Sequence, residues 1–393
     1  MPAMPRPSRL LRVDTGRTVS PWNEPVGKLR VLGQPLAERQ AQVAAAAGLR
    51  FEGTVDPSAR GGDPQALYWD DDVDLTPDAL RVFLRKAGPG AQLAVVERPP
   101  RKGDLEPEPP GPPHTSKAGV EPTRLIGLRW GGGERPWVLP PLGLSGTGRM
   151  AGPFDTPFAW FLSARSATTV HHWSHLLRAN VGAAVAEIWA QVFLRPWRPL
   201  WAWLRDPLHP RLAAVGRRCK IHPTARLEAC VLGDDVSVGA YSVLRGCVLG
   251  DGAVVEDHVT ARGSVLGPRA HLANYCLFNL GVIGARSSIG HIGAQATVIG
   301  DGAFIATFAV LQDLNLSQNI RVPFEGHLVD TGTPFLGCAV GHDVRMGAHV
   351  IVSAGRELPN GVVLTADKGV VRRIDPQSPP GAYTEQDGRM VPR

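Results

Sequence analysis

The sequence lacks any uncharged apolar run approaching the ~20 residues of a membrane-spanning helix, so no spanning helix is expected. Its first residues, MPAMPRPSRLLRV, are positively charged but hold no long apolar core, so no secretory leader is expected either. Cysteine is scarce. Cys219, Cys230, Cys247, Cys276 and Cys338 are scattered, and none forms a CxxC pair. An odd number without metal spacing argues against a disulfide framework and for reduced thiols in a cytoplasmic protein. The simplest role for nearly all of them is as small buried hydrophobes. No long basic run is present. Lys and Arg exceed Asp and Glu by only 42 − 36 = 6, which argues against a nucleic-acid-binding face. There is no Gly-x-Ser-x-Gly, no Walker A pattern and no His/Cys/Asp grouping with metal spacing.

What is present is glycine, 45 residues of it, and a six-residue period. In IGAQATVIGDGAFIATFAVL, Ile292, Val298, Phe304 and Val310 form one aliphatic series, and Ile299, Ile305 and Leu311 form a second beside it. Six fits neither an isolated helix nor a plain hairpin strand. A short fixed period with Gly-Asp punctuation is the signature of a hexapeptide parallel β-helix, in which each hexamer is one short strand and a turn. Between Ile221 and Leu311 the expected inward residues are Leu227, Leu232, Val238, Val243, Val248, Val254, Val265, Leu272, Phe278, Ile283 and Ile289. This length gives about five coils of roughly eighteen residues. Gln312–Phe335 breaks the period and reads as a loop thrown out from one corner. Val340, Met346, Val352, Leu358 and Leu364 resume it.

The first part of the chain reads differently. A helical centre from Leu36 to Ala47 ends at Gly48, and Ala66–Trp69 is a short strand running into Asp70, Asp71 and Asp72. Thr76 is placed to cap a helix that begins at Pro77, and Gln92–Glu97 is another strand. Strand–helix alternation argues for an α/β sheet domain. A proline-rich segment at 98–122 cannot pack a core, and Leu125–Trp137 reads as a hairpin around Gly131-Gly132-Gly133. Thr169–Leu204 has helical spacing and holds half of the ten tryptophans. That stretch reads either as a connector helix packed on its neighbours or as an interfacial helix touching a membrane surface. The division expected is an α/β domain at 9–150, a helical connector at 151–215, a β-helix at 216–376 and a loose tail at 377–393.

These residues resemble the bifunctional sugar-1-phosphate nucleotidyltransferases, which carry an α/β nucleotide-binding domain and a C-terminal left-handed β-helix. AHLANYCLFNLGVIG at Ala270–Gly284 and the segment Val322–Gly361 resemble the acetyltransferase half of that family. DTGRTVSPWNEPVGKLRVLGQPLAERQAQVAAAAGL at Asp14–Leu49 is similar in layout to the family's phosphate-loop signature, with Gly16, Arg17, Thr18, Pro21, Lys28, Gly33, Pro35 and Leu36 in order. The resemblance implies a transferase that uses a nucleotide, a sugar phosphate and acetyl-CoA, and a homotrimer.

It also implies roles. Gly16, Arg17 and Lys28 are candidates for nucleotide phosphates, and Asp70, Asp71 and Asp72 for Mg²⁺. His271 falls on the position of the acetyltransferase base. Tyr275 and Asn315 are candidates for sugar or acyl-donor contacts. The chain departs from the pattern in two places. RLLRVDTGRT has one glycine where the family has several, and Thr333, Pro334 and Phe335 stand where basic residues follow Thr-Gly. Two functions therefore stand open: a divergent nucleotidyltransferase-like or acyltransferase-like transferase, and a catalytically inactive scaffold or binding protein with peripheral membrane contact through Trp189–Trp203.

Overall fold

A computed structural model describes residues 7–59, 63, 65–96, 123–131, 135–140, 143–149, 157–163, 165–197, 199–200, 204, 212–366, 370–371 and 373–393. The proline-rich segment expected at 98–122 lies outside the described residues, as do Gly132, Gly133, Trp201 and Trp203. The chain is mostly β and divides into two units. The first runs to Ala183 without Ser20–Asn23; the second joins Ser20–Asn23 to Ala184–Arg393.

In the first unit, β1 (Arg9–Val13), β2 (Arg50–Val55), β3 (Ala66–Asp70), β4 (Ala91–Val96), β5 (Thr123–Trp130) and β6 (Arg135–Val138) form one sheet in the order β2-β1-β3-β5-β4-β6. β1 runs parallel to β2 and β3, whereas β5 is antiparallel to both β3 and β4. Helices α1 (Leu36–Ala46) and α2 (Pro77–Lys86) belong to the same unit. Leu10, Leu67, Trp69, Leu80, Phe83, Leu93, Ile126 and Trp130 make its core. Gly48, at φ +80°, follows α1 in the left-handed conformation that closes a helix. Two expectations need correction. The hairpin at Leu125–Trp137 is not one, because β5 and β6 lie on opposite sides of β4; alternation marks a strand but not its partner. Thr76 precedes α2 but does not cap it through its side chain. Strand Ala167–Thr169 pairs with Val73–Leu75 and brings in Ser166, whose amide donates to the Thr76 hydroxyl at 3.0 Å.

The connector is only partly helical. It includes strands Pro157–Ser163 and Ala167–Thr169, then α3 (Trp173–Ile188) and a π-turn at Trp189–Phe193.

The second unit is a parallel β-helix of three strand stacks. One stack runs Lys220–Ile221, Ser237–Val238, Val254–Val255, His271–Leu272, Ser288–Ile289, Phe304–Ile305, Arg345–Met346 and Val362–Thr365. A second runs Val243–Arg245, Thr260–Arg262, Leu277–Asn279 and Gly293–Gln295. The third runs Val248–Leu249, Val265–Leu266, Val282–Ile283, Val298–Ile299, Ala339–Val340 and Glu357–Leu358. Adjacent residues of a strand face opposite sides, so each short strand sends one residue inward. Coils stack with backbones close together. A Cβ added to Gly284 would lie 2.4 Å from Gly300, which no side chain can do.

The period was correct, but its register needs correction. Leu227, Leu232, Val238, Leu272, Phe278, Ile283 and Ile289 lie in the core cluster as expected, but at four strands the cluster takes Leu244, Leu249, Val255 and Leu266 in place of Val243, Val248, Val254 and Val265, of which Val248 and Val265 are buried outside it. Likewise Ile299, Ile305 and Leu311 point inward, whereas Phe304 is 50% exposed. Two aliphatics side by side leave the choice of face undecided, and the corner geometry makes it. The excursion at 312–335 contains a hairpin, Arg321–Phe324 with His327–Asp330. The tail at 377–393 is not loose. Gly381–Gln386 pairs with Val362–Thr365, and Arg389–Pro392 pairs with Gly381–Gln386, so the otherwise open edge of the stack is covered.

Burial sets the thiol chemistry. Cys276 and Cys338 are pushed up to about 12 by desolvation, which keeps them as unreactive thiols near neutral pH. Burial raises Cys219 as well, but it is the one cysteine that is not buried. Iodoacetamide at neutral pH is therefore expected to label Cys219 first, and the other four only on unfolding. Peptide mass mapping checks this, and rapid labelling of Cys338 in the folded chain would contradict it.

Candidate functional site

His271 opens its strand with its side chain outward, because Leu272 takes the inward place. The two neighbouring coils supply its partners. Nε2 lies 2.8 Å from Glu256 Oε1 on one side, and Nδ1 lies 2.9 Å from Ser288 Oγ on the other. Ser288 is the direct register partner of His271. The second Glu256 oxygen accepts the Asn274 amide at 2.9 Å, which fixes the carboxylate. The three side chains form a carboxylate–imidazole–hydroxyl row, with the His271 and Glu256 side chains 31% and 37% exposed. Along the same outward row come Val254 before His271, then Phe304 and Arg345 after Ser288. The row is thus flanked by exposed apolar surface at Val254 and Phe304, with a cation further on.

For the neutral imidazole this arrangement selects one tautomer. An ionised carboxylate only accepts hydrogen bonds, so the imidazole hydrogen sits on Nε2 and points at Glu256. Nδ1 then carries a lone pair and accepts the Ser288 hydroxyl hydrogen. The same logic orders hydroxyl, imidazole and carboxylate in hydrolytic triads, there with the two ring nitrogens exchanged. Glu256 and Ser288 were not singled out in the sequence. Their signal is spacing: 15 residues before His271 and 17 after it, one coil in either direction.

The other candidates lie elsewhere. Tyr275 sits at a corner with φ +61°, stacked on His258 at 5.0 Å and tilted against His291 at 5.8 Å. It belongs to a ladder in which Tyr241, His258, Tyr275, His291, Phe308 and His349 follow one another along one corner. Asn315 lies in the excursion, where its carboxamide oxygen accepts the Ser317 amide and hydroxyl. No hydrogen bond joins His271, Tyr275 and Asn315 to one another.

In the first unit, Gly16 (φ +64°) is exposed in the loop after β1, and Lys28 is exposed on a short 3₁₀ turn. The loop amides are already used. Gly16 N–H donates to Asp14 Oδ1 at 2.8 Å, and Thr15 donates to Asp71 Oδ1 from its amide at 3.0 Å and its hydroxyl at 2.7 Å. Arg17 lies 3.4 Å from Asp72 Oδ2, which also meets His171 Nε2 at 3.2 Å. Burial pushes the Asp71 carboxyl above its usual range; the Thr15 hydrogen bonds pull it down, while Asp72 and Asp14 raise it further. The shallow groove beside the loop is lined by Asp14, Thr15, Gly16, Thr54, Val55, Asp56 and Pro57, with acids where phosphates would come. Asp70 packs against β5, where a Cβ on Gly127 would lie 2.3 Å from its carboxylate.

The Mg²⁺ expected at Asp70, Asp71 and Asp72 does not fit this donor set, because protein hydrogen-bond donors and cations hold Asp71 and Asp72. Among the described residues no group of three or more His, Cys, Asp or Glu is placed to hold a metal ion. The physical reason is local: three consecutive residues at a strand end project in different directions, so their carboxylates do not converge.

No protein-family model matches the chain, and no curated protein matches it. Among solved structures it is similar to the polySia-specific acetyltransferase NeuO, at 12% identity over 46% of this chain and 83% of that one, TM-score 0.23. It is similar to a mutant of GDP-perosamine N-acetyltransferase from Caulobacter crescentus in complex with CoA and GDP-perosamine, at 12% identity over 98% and 97%, TM-score 0.21. It is also similar to the polysialic acid O-acetyltransferase OatWY, at 19% identity over 45% and 87%, TM-score 0.17. All three are acetyltransferases, yet at these identities and scores the likeness decides nothing about this chain, whose chemistry must be read from its own side chains.

Proposed function

We propose that the protein is an acyltransferase that uses the outward row Glu256–His271–Ser288 to move an acyl group from a thioester such as acetyl-CoA to a hydroxyl or amine of a sugar. One observation supports this above the rest: a histidine with a carboxylate on Nε2 and a hydroxyl on Nδ1, on an accessible face. Such a row can take a proton from an attacking group while its carboxylate stabilises the imidazolium. Nucleotidyl transfer is the weaker reading, since the Thr15 and Gly16 amides and the Arg17 guanidinium that should meet a triphosphate are engaged by Asp71, Asp14 and Asp72. The site lies on an open face of the β-helix, and we propose a homotrimer in which a second copy walls it. The test is thiol release from acetyl-CoA in the presence of a panel of amino and hydroxy sugars and their nucleotide-linked forms. Release that depends on both substrates is expected; its absence with every acceptor would overturn the proposal.

A second reading has its own support. Trp189, Phe193, Leu194, Trp197, Leu200 and Leu204 are 40–62% exposed around Arg195. Aromatic and aliphatic side chains beside a cation suit a lipid headgroup layer. Among the described residues no helix is long and apolar enough to cross a membrane. Peripheral contact through this segment is the expected form, and flotation with anionic liposomes checks it. Protein left wholly in the unbound fraction removes the reading.

A further inference from the structure

The proposed acyl transfer leaves open how the acyl group travels, and His271 restricts the routes. Both of its ring nitrogens are engaged, Nε2 with Glu256 at 2.8 Å and Nδ1 with Ser288 Oγ at 2.9 Å. The basic lone pair on Nδ1 therefore faces a protein hydroxyl. An external acceptor reaches that lone pair only by displacing Ser288 or by turning the ring, and turning it breaks both bonds. The carboxylate opposes such a turn, because Glu256 is itself held by the Asn274 amide.

Ser288 has what a nucleophile needs. Its hydroxyl oxygen lies within hydrogen-bond distance of an imidazole nitrogen, the imidazole is oriented by a third group, and the oxygen lies on the outward side of a strand. The neighbouring serines are used differently. Ser264 and Ser287 are fully buried, and their hydroxyls donate to the Phe278 and Gly300 carbonyls. Ser288 is half-buried and bonds a titratable ring instead. On its far side stands Phe304, half exposed, an apolar surface against which a thioester can lie.

From this geometry we infer that Ser288 is the nucleophile and that transfer runs in two displacements through an O-acyl-serine; the inference rests on the acyltransferase reading above. In the first displacement Ser288 Oγ attacks the thioester carbonyl carbon. The hydroxyl proton moves to His271 Nδ1, the C–S bond breaks, and the proton passes on to the leaving thiolate. The product is an ester of Ser288 and a free thiol. In the second, the acceptor oxygen or nitrogen attacks the ester carbonyl and its proton goes to Nδ1. The C–Oγ bond breaks, and that proton returns to Oγ. Through both steps the Nε2–H stays on Glu256. No oxidant, reductant or metal is needed.

The test uses the full chain without acceptor, mixed separately with p-nitrophenyl acetate and with acetyl-CoA, then quenched in acid for intact mass and peptide mapping. The expected result is a burst of one equivalent of nitrophenolate and one acetyl group on the Ser288 peptide. Ser288→Ala should abolish burst and adduct and lower turnover with acceptor by about 10³-fold or more, with an unchanged melting temperature. Ser288→Cys should restore an adduct as a thioester, which a purely structural serine would not do. Turnover retained in Ser288→Ala, with no adduct on the unsubstituted protein, overturns the inference and leaves direct acyl transfer standing. Absence of thiol release from the unsubstituted protein with every acceptor overturns the acyltransferase reading as well, so the two failures are distinguishable.

Discussion

Replacing His271 by alanine is expected to lower kcat/KM for acyl transfer about 10²–10⁴-fold while leaving the fold intact. Among the described residues the side chain bridges Glu256 and Ser288, taking the Ser288 proton at Nδ1 while its Nε2–H stays hydrogen-bonded to the carboxylate. Without it the serine hydroxyl has no base, and the carboxylate faces no imidazole. The fold should survive because the inward residue of that strand is Leu272, and the His271 side chain is 31% exposed. A surface change of this kind shifts stability by about 1 kcal/mol or less. Glu256→Gln should cost less than His271→Ala, because a neutral carboxamide can still accept from Nε2 but stabilises the imidazolium poorly. Its effect should fall on kcat rather than KM, since Glu256 stabilises charge that forms only during transfer. Steady-state assays with melting curves check all of this. A His271→Ala protein with undiminished kcat/KM would remove the row from the chemistry.

Phe278→Ala is expected to cost about 3–5 kcal/mol of folding stability. Phe278 is fully buried and belongs to the β-helix core cluster, where it is the bulkiest of the fully buried side chains. Its register partners inside are Ala261 and Ala294, so the ring fills the space that two alanines leave in adjacent coils. Gly281 approaches it closely as well; a Cβ there would lie 2.5 Å from the ring. Removing the ring opens a cavity that the neighbouring coils cannot close without breaking their backbone ladder. Tyr275→Ala is the matched control. That ring is 59% exposed at the corner and should cost about 1 kcal/mol at most, the value of an aromatic stacking contact. Urea unfolding of both variants is the measurement. Equal losses would mean that the interior is not one packed column.

The β-helix was legible because its period is a direct consequence of its geometry. One inward residue per side repeats the pattern, and glycine marks positions such as Gly284 where the next coil leaves no room for a Cβ. His271 was singled out from the segment around it, and its role is a proposal. Glu256 and Ser288 were not, because a pair 15 or 17 residues apart has no meaning until the coil length is known. The corner ladder from Tyr241 to His349 was missed for the same reason. In the first unit the loop at Asp14–Arg17 and the acidic stretch Asp70–Asp72 read as a phosphate cradle and a metal site. The fold instead turned each upon the other, Thr15 to Asp71 and Arg17 to Asp72.

The sequence by itself determined which residues are apolar, how often they recur and where the recurrence stops, and this was enough to specify a coiled stack with an excursion at 312–335. Only the tertiary structure decided which of two adjacent aliphatics faces the core. It also brought residues from three successive coils into one row on the outer face. The physical reason is that periodicity is a local property of the chain, whereas a row of this kind is made of hydrogen bonds only about 3 Å long between coils, and those form only when backbone pairing has fixed the register.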